Sequence, residues 1–171
     1  MSLATAERPR LSRRLVTAMP GWRVLMLGTP LWAVVLASSA ALWLAIAGRW
    51  PTTHWQPIVA VFALGGILAF PTGLFAAKFI DTRSATGRFA AAFIGLGLAS
   101  ALGVAFVFSM QYRVYYARWH DDFLSIGWIF QLLFTGAGAV YQFAVLGSRM
   151  FFPLGLAALF AASLWHARQT R

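Results

Sequence analysis

Half of the chain's four acidic residues and one of its three histidines fall together at His120-Asp121-Asp122. This is the one stretch where a general acid/base pair or a metal site could be assembled from neighbours. Adjacent helical residues point in different directions, so the triplet chelates only if His54, from another connection, joins it. His54 with His120 could also ligate a haem. No H-x-x-x-H or H-E-x-x-H spacing supports a metal, and the simpler expectation is that Asp122 caps a helix while the aspartates pair with Arg113 or Arg118. With no cysteine in the chain, thiolate chemistry and disulfides are excluded. Glycine-rich phosphate loops and nucleophile elbows are also missing, so no catalytic residue is named. No cofactor is predicted, although haem or quinone remains open.

A second set of polar residues recurs at helical spacing. Gly127, Gln131, Thr135, Gly138 and Gln142 are separated by 4, 4, 3 and 4 positions and share one helix face; Arg149 extends the stripe by seven. A polar stripe facing lipid is costly, so it should face other helices, a ligand or a partner subunit. Tyr112, Tyr115, Tyr116 and Trp119 follow the i, i+3, i+4, i+7 pattern and form an aromatic face, either a membrane-interface belt or a platform for a quinone, pigment or lipid headgroup. Gly87, Ala91, Gly95, Ala99 and Gly103 repeat every four residues, a ridge of small side chains that admits another helix, from this chain or from a partner, at short range.

The elements that must carry these residues follow from composition. Of 171 residues, 60% are hydrophobic and 11% charged, with mean hydropathy +0.72; soluble domains hold roughly 45–50% apolar and about 25% charged residues. The expected fold is therefore an all-α, polytopic transmembrane helical bundle. Apolar runs at 24–47, 58–80, 89–110, 123–146 and 150–165 give five spans, between a basic N-terminal segment at 1–23 and a polar tail at 167–171. The fifth run is short, so four spans plus a re-entrant segment is the alternative. Pro71 should kink the second run, and Ser84 or Thr86 should cap the third. Lys78 and Asp81 stand one turn apart as a candidate ion pair. The first run could also be read as a signal peptide, given its basic leader, but is longer than the usual h-region.

Net charge is +10, with thirteen of fourteen basic residues arginine. Those residues sit at the ends of apolar runs, where they meet lipid phosphates rather than nucleic acid. On the five-span layout Arg8, Arg10, Arg13, Arg14, Arg23, Lys78, Arg83, Arg88 and Arg149 fall on one side, and Arg49, Arg113, Arg118, Arg168 and Arg171 on the other. The positive-inside rule then places the N-terminus in the cytoplasm, while Arg168 and Arg171 count against it. Arginine and alanine bias suggests a GC-rich bacterial source and thus a multi-pass inner-membrane protein. In its eight tryptophans and five short spans the chain resembles, by count and composition alone, the tryptophan-rich sensory proteins that bind porphyrins, and no residue role carries over.

Short loops and few ionisable groups point to a non-enzymatic accessory or assembly subunit of a membrane complex. The expected partners are the bilayer and other subunits or further copies of the chain. A small oligomeric transporter or channel, with a polar path along the fourth run, is the alternative. A haem, quinone or pigment-binding protein is the third reading.

Overall fold

The computed structural model describes residues 15–50, 54–80 and 84–169, and is helical with no strand among them. Five main helices follow one another: α1 (Trp22–Ile46), α2 (Trp55–Ile80), α3 (Ala85–Tyr116), α4 (Ile126–Gln142) and α5 (Leu154–Arg168). The basic leader, Asp81, Arg83 and Arg171 lie outside the described residues, so the Lys78–Asp81 pair does too.

Four stretches are long and apolar enough to cross a membrane, namely Trp22–Ile46, Trp55–Ile80, Ala85–Trp119 and Ile126–Phe151. That is the mark of a membrane protein. The fifth expected span falls short, because α5 has 15 residues and so reaches only about 22 Å against a hydrocarbon core of about 30 Å.

Local signals account for most helix ends. α1 stops at a left-handed glycine, Gly48 (φ 66°), with Arg49 N–H bonded to the Leu44 carbonyl and Gly48 N–H to that of Ala45. This is a Schellman closure, which only glycine adopts without strain. Ser84 caps α3, its Oγ accepting from Gly87 N–H at 3.0 Å. Pro71 lies inside α2 without ending it, and the Thr72 hydroxyl donates to the Leu68 carbonyl at 2.7 Å one turn back.

Three boundaries depart from expectation. α3 continues through Tyr116, six residues beyond the expected Met110, so the aromatic face extends a long helix. The cap of α4 is Ser125, accepting from Trp128 N–H at 3.0 Å, instead of Asp122. Leu124 takes a left-handed conformation (φ 67°) just before it. α5 starts at Leu154 and not at Met150, because Phe152 before Pro153 is extended (φ −99°, ψ 144°), as the steric bulk of a following proline requires.

Lipid is as apolar as leucine, so helices associate here mainly through close packing. α2 and α3 run antiparallel on glycine contacts. A Cβ at Gly103 would lie 2.7 Å from the Gly65 carbonyl oxygen, and one at Gly95 would lie 2.9 Å from that of Gly73. The small-residue ridge is thus an internal contact through Gly95, Gly103 and buried Ala91, while Gly87 serves the Ser84 cap. α1 joins the other side of α2, where a Cβ on Gly66 would meet the Ala33 Cα at 2.8 Å. Trp32, Leu36, Phe62, Phe70, Leu74 and Leu96 form the buried centre of these three helices.

α4 stays against the C-terminal end of α3, and α5 runs along its N-terminal half. Near the C-terminal end of α3, Gly136 faces Ser109 and Gln142 bonds Tyr112. Nearer its N-terminal end, Leu159 covers Gly97, Phe160 meets Phe89 edge-on at 5.2 Å, and Arg88 donates to the Ala167 carbonyl at 2.8 and 3.2 Å. Between the two helices the backbone passes through a π turn (Phe143–Gly147) and a 3-10 turn (Ser148–Phe151). The two short helices are thus joined by an irregular break. The end of α5 lies beside the start of α3.

Candidate functional site

The break is stitched by one hydroxyl. Ser39 of α1 is fully buried; its Oγ donates to the Met150 carbonyl at 2.8 Å and accepts from Gly155 N–H at 3.0 Å. Ser148 Oγ donates to the Ala144 carbonyl at 2.7 Å within the π turn. Irregular backbone in an apolar surrounding persists only where such groups are satisfied or where it lines a cavity. Both conditions hold here.

A cavity of about 380 Å³ opens beside the break, between the start of α2, the C-terminal third of α3 and the end of α4. Its apolar wall includes Val61, Phe62, Val104, Phe143, Leu146 and Met150, and its polar rim His54, Gln111, Tyr112 and Gln142. Gln142 Nε2 donates to the Tyr112 hydroxyl at 3.1 Å. Tyr112 also meets Phe108 at 5.8 Å and Tyr116 at 4.8 Å between ring centroids, forming an aromatic side. No Lys, Arg, Asp or Glu lines the cavity among the described residues. A smaller cavity of about 160 Å³ lies across the break, where Trp32 Nε1 donates to buried Ser100 at 3.0 Å.

The expected polar stripe is turned toward the end of α3 and the loop that follows it. Gln131 Oε1 accepts from Asp121 N–H at 2.8 Å, Thr135 Oγ1 lies 3.4 Å from His120 Nε2, and Gln142 holds Tyr112. Gly127 packs beneath the Asp121 side chain, and Gly138 has open space around its Cα. Arg149 leaves the stripe altogether, because the helix ends at Gln142 and Arg149 sits exposed in the 3-10 turn.

The acidic triplet is not brought to His54. His54 rims the cavity while His120 meets Thr135, and no group of three or more histidines and carboxylates placed to hold a metal occurs among the described residues. Nor do the aspartates take the expected arginine partners. Arg113 lies 5.5 Å over the Trp128 ring and Arg118 lies 4.5 Å over Trp119, cation–π contacts suited to an interfacial belt. Of the aromatic face, Tyr112, Tyr115 and Tyr116 reach the cavity, whereas Trp119 stacks outside it with Tyr115 at 5.6 Å.

Sequence reasoning missed Ser39, Met150, Gly155 and Gln111. A serine inside an apolar run carries no local sign that it answers a break over a hundred residues away. Phe152-Pro153 was the available clue that the last apolar run is interrupted. No protein family, no curated protein and no solved structure matches the chain.

Proposed function

We propose that this chain is a non-enzymatic multi-pass protein of a bacterial inner membrane, acting as an accessory or assembly subunit of a membrane complex. The observation that carries the reading is that α4, 17 residues long, buries only Ala139 in its own protein. Its inner side is tied down by Gln131, Thr135 and Gln142, while Phe130, Leu133, Phe134 and Tyr141 stand exposed. A helix that adds so little to its own core, yet is held at several points, is suited to contacts outside the chain. Small residues at helix surfaces, such as Gly138 with open space beside it, let membrane helices approach closely.

In this reading α1, α2 and α3 cross the bilayer and α4 with α5 makes a fourth, broken crossing, so both chain ends face the cytoplasm. Arg8, Arg10, Arg13, Arg14, Arg23, Lys78, Arg83, Arg88, Arg168 and Arg171 then belong to the inner side, against Arg49, Arg113 and Arg118 outside, while Arg149, in the break, counts for neither side. The positive-inside asymmetry becomes stronger than on five spans, and the two C-terminal arginines no longer oppose it.

Extraction in a mild detergent followed by native sizing tests the subunit reading. A complex larger than the lone chain is expected, reduced to the monomer by Phe130→Ser with Phe134→Ser. A monomer from the wild type under the gentlest extraction overturns it. The broken crossing also favours a second reading, an oligomeric transporter, since discontinuous helices frame substrate sites in transporters. Liposome flux unchanged by Gln131→Leu with Gln142→Leu removes that one.

A further inference from the structure

The cavity beside the break carries an inference independent of any partner subunit. Its volume of about 380 Å³ falls within the range of small-molecule sites, about 300–1,000 Å³. It joins an apolar depth, around Phe62, Val104 and Phe143, to a rim able to form hydrogen bonds. The Tyr112–Gln142 bond uses one amide N–H and one lone pair of the phenol oxygen. The phenolic O–H, the second amide N–H and the amide oxygen are left with capacity for a ligand. Gln111 lines the same rim.

Charge decides between ligand classes. A phospholipid, a fatty acid or a haem brings phosphate or carboxylate groups that need cationic partners when desolvated, and the described lining offers no lysine or arginine. A neutral head fits. The Phe108, Tyr112 and Tyr116 rings on one side favour a flat ring by stacking or edge contact. We propose that the cavity binds a neutral, ring-headed isoprenoid lipid of the quinone class, its ring oxygens on Tyr112, Gln142 and Gln111 and its tail along Val104, Phe143 and Leu146.

The test uses the full chain in lipid nanodiscs, titrated with decyl-ubiquinone and compared with protein-free nanodiscs to subtract partition into lipid. Saturable binding is expected. Gln142→Leu and Tyr112→Phe should each weaken it by about 3- to 10-fold, the effect of losing one neutral hydrogen bond. Leu146→Trp should abolish it by blocking the cavity's mouth; Leu146 is 56% exposed, so its replacement leaves the packed centre intact, which an unchanged thermal midpoint verifies. Excess palmitate or phosphatidylglycerol should not displace the quinone. Purely linear uptake, equal binding by a well-folded Leu146→Trp variant, or displacement by the anionic lipids overturns the proposal. Failure here leaves the subunit reading standing, since that one is read from native size alone.

Discussion

Ser39 on α1 accepts a 3.0 Å hydrogen bond from the backbone N–H of Gly155, the second residue of α5. The same hydroxyl donates to the Met150 carbonyl, so one side chain satisfies backbone on both sides of the break. Nothing else described closes that gap between α4 and α5 so directly, and its burial keeps water from substituting.

Replacing Ser39 by alanine should therefore destabilise the fold by about 1–3 kcal/mol, the cost of leaving buried backbone groups unpaired. Thermal unfolding in detergent reads this. Ser38→Ala, one residue away and without those bonds, is the control and should change little.

The C-terminus should be cytoplasmic. A green fluorescent protein fused after Arg171 should fluoresce and an alkaline phosphatase fused there should be inactive, because Ala167 ends beside Arg88 at the start of α3. Five full spans would give the reverse pattern.

Two glycines on opposite kinds of surface should respond oppositely. Gly103→Leu should disrupt the α2–α3 contact, since even its Cβ would press on the Gly65 carbonyl, and should lower the yield of folded protein. Gly138→Ala meets nothing within 4 Å and should stabilise α4 by up to about 1 kcal/mol through helix propensity. Yield and thermal midpoint of both variants check this.

Arg88 joins the first turn of α3 to the last turn of α5 by two N–H donors on one carbonyl. Arg88→Ala should release that end, seen as faster hydrogen exchange at residues 165–169 with little change in α2. Arg88→Lys keeps the charge but cannot fork, so it should restore exchange protection only in part.

Legibility differed along the chain for physical reasons. Helices α1 and α2 and the start of α3 were plain because each is a long apolar run, with local signals such as Gly48 and Ser84 at its ends, whereas the polar Gln111–Tyr116 stretch hid the continuation of α3. The site was only half visible. The spacing of Tyr112, Tyr115 and Tyr116 and that of Gln131, Thr135 and Gln142 defined two faces, yet could not say that Tyr112 and Gln142 meet across one cavity rim. His54 and His120, grouped by residue type, have different neighbours, His54 rimming the cavity and His120 meeting Thr135.

The sequence by itself determined a membrane protein of apolar helices with its charges at their ends, since hydrophobic periodicity, caps and glycine ridges act within a few residues. Only the tertiary structure decided that an irregular break separates α4 from α5, that Ser39 bridges it, and that Ala167 comes back to Arg88. Those facts rest on contacts between residues 79 to 116 positions apart. Their partners are chosen by packing rather than by neighbours in the chain.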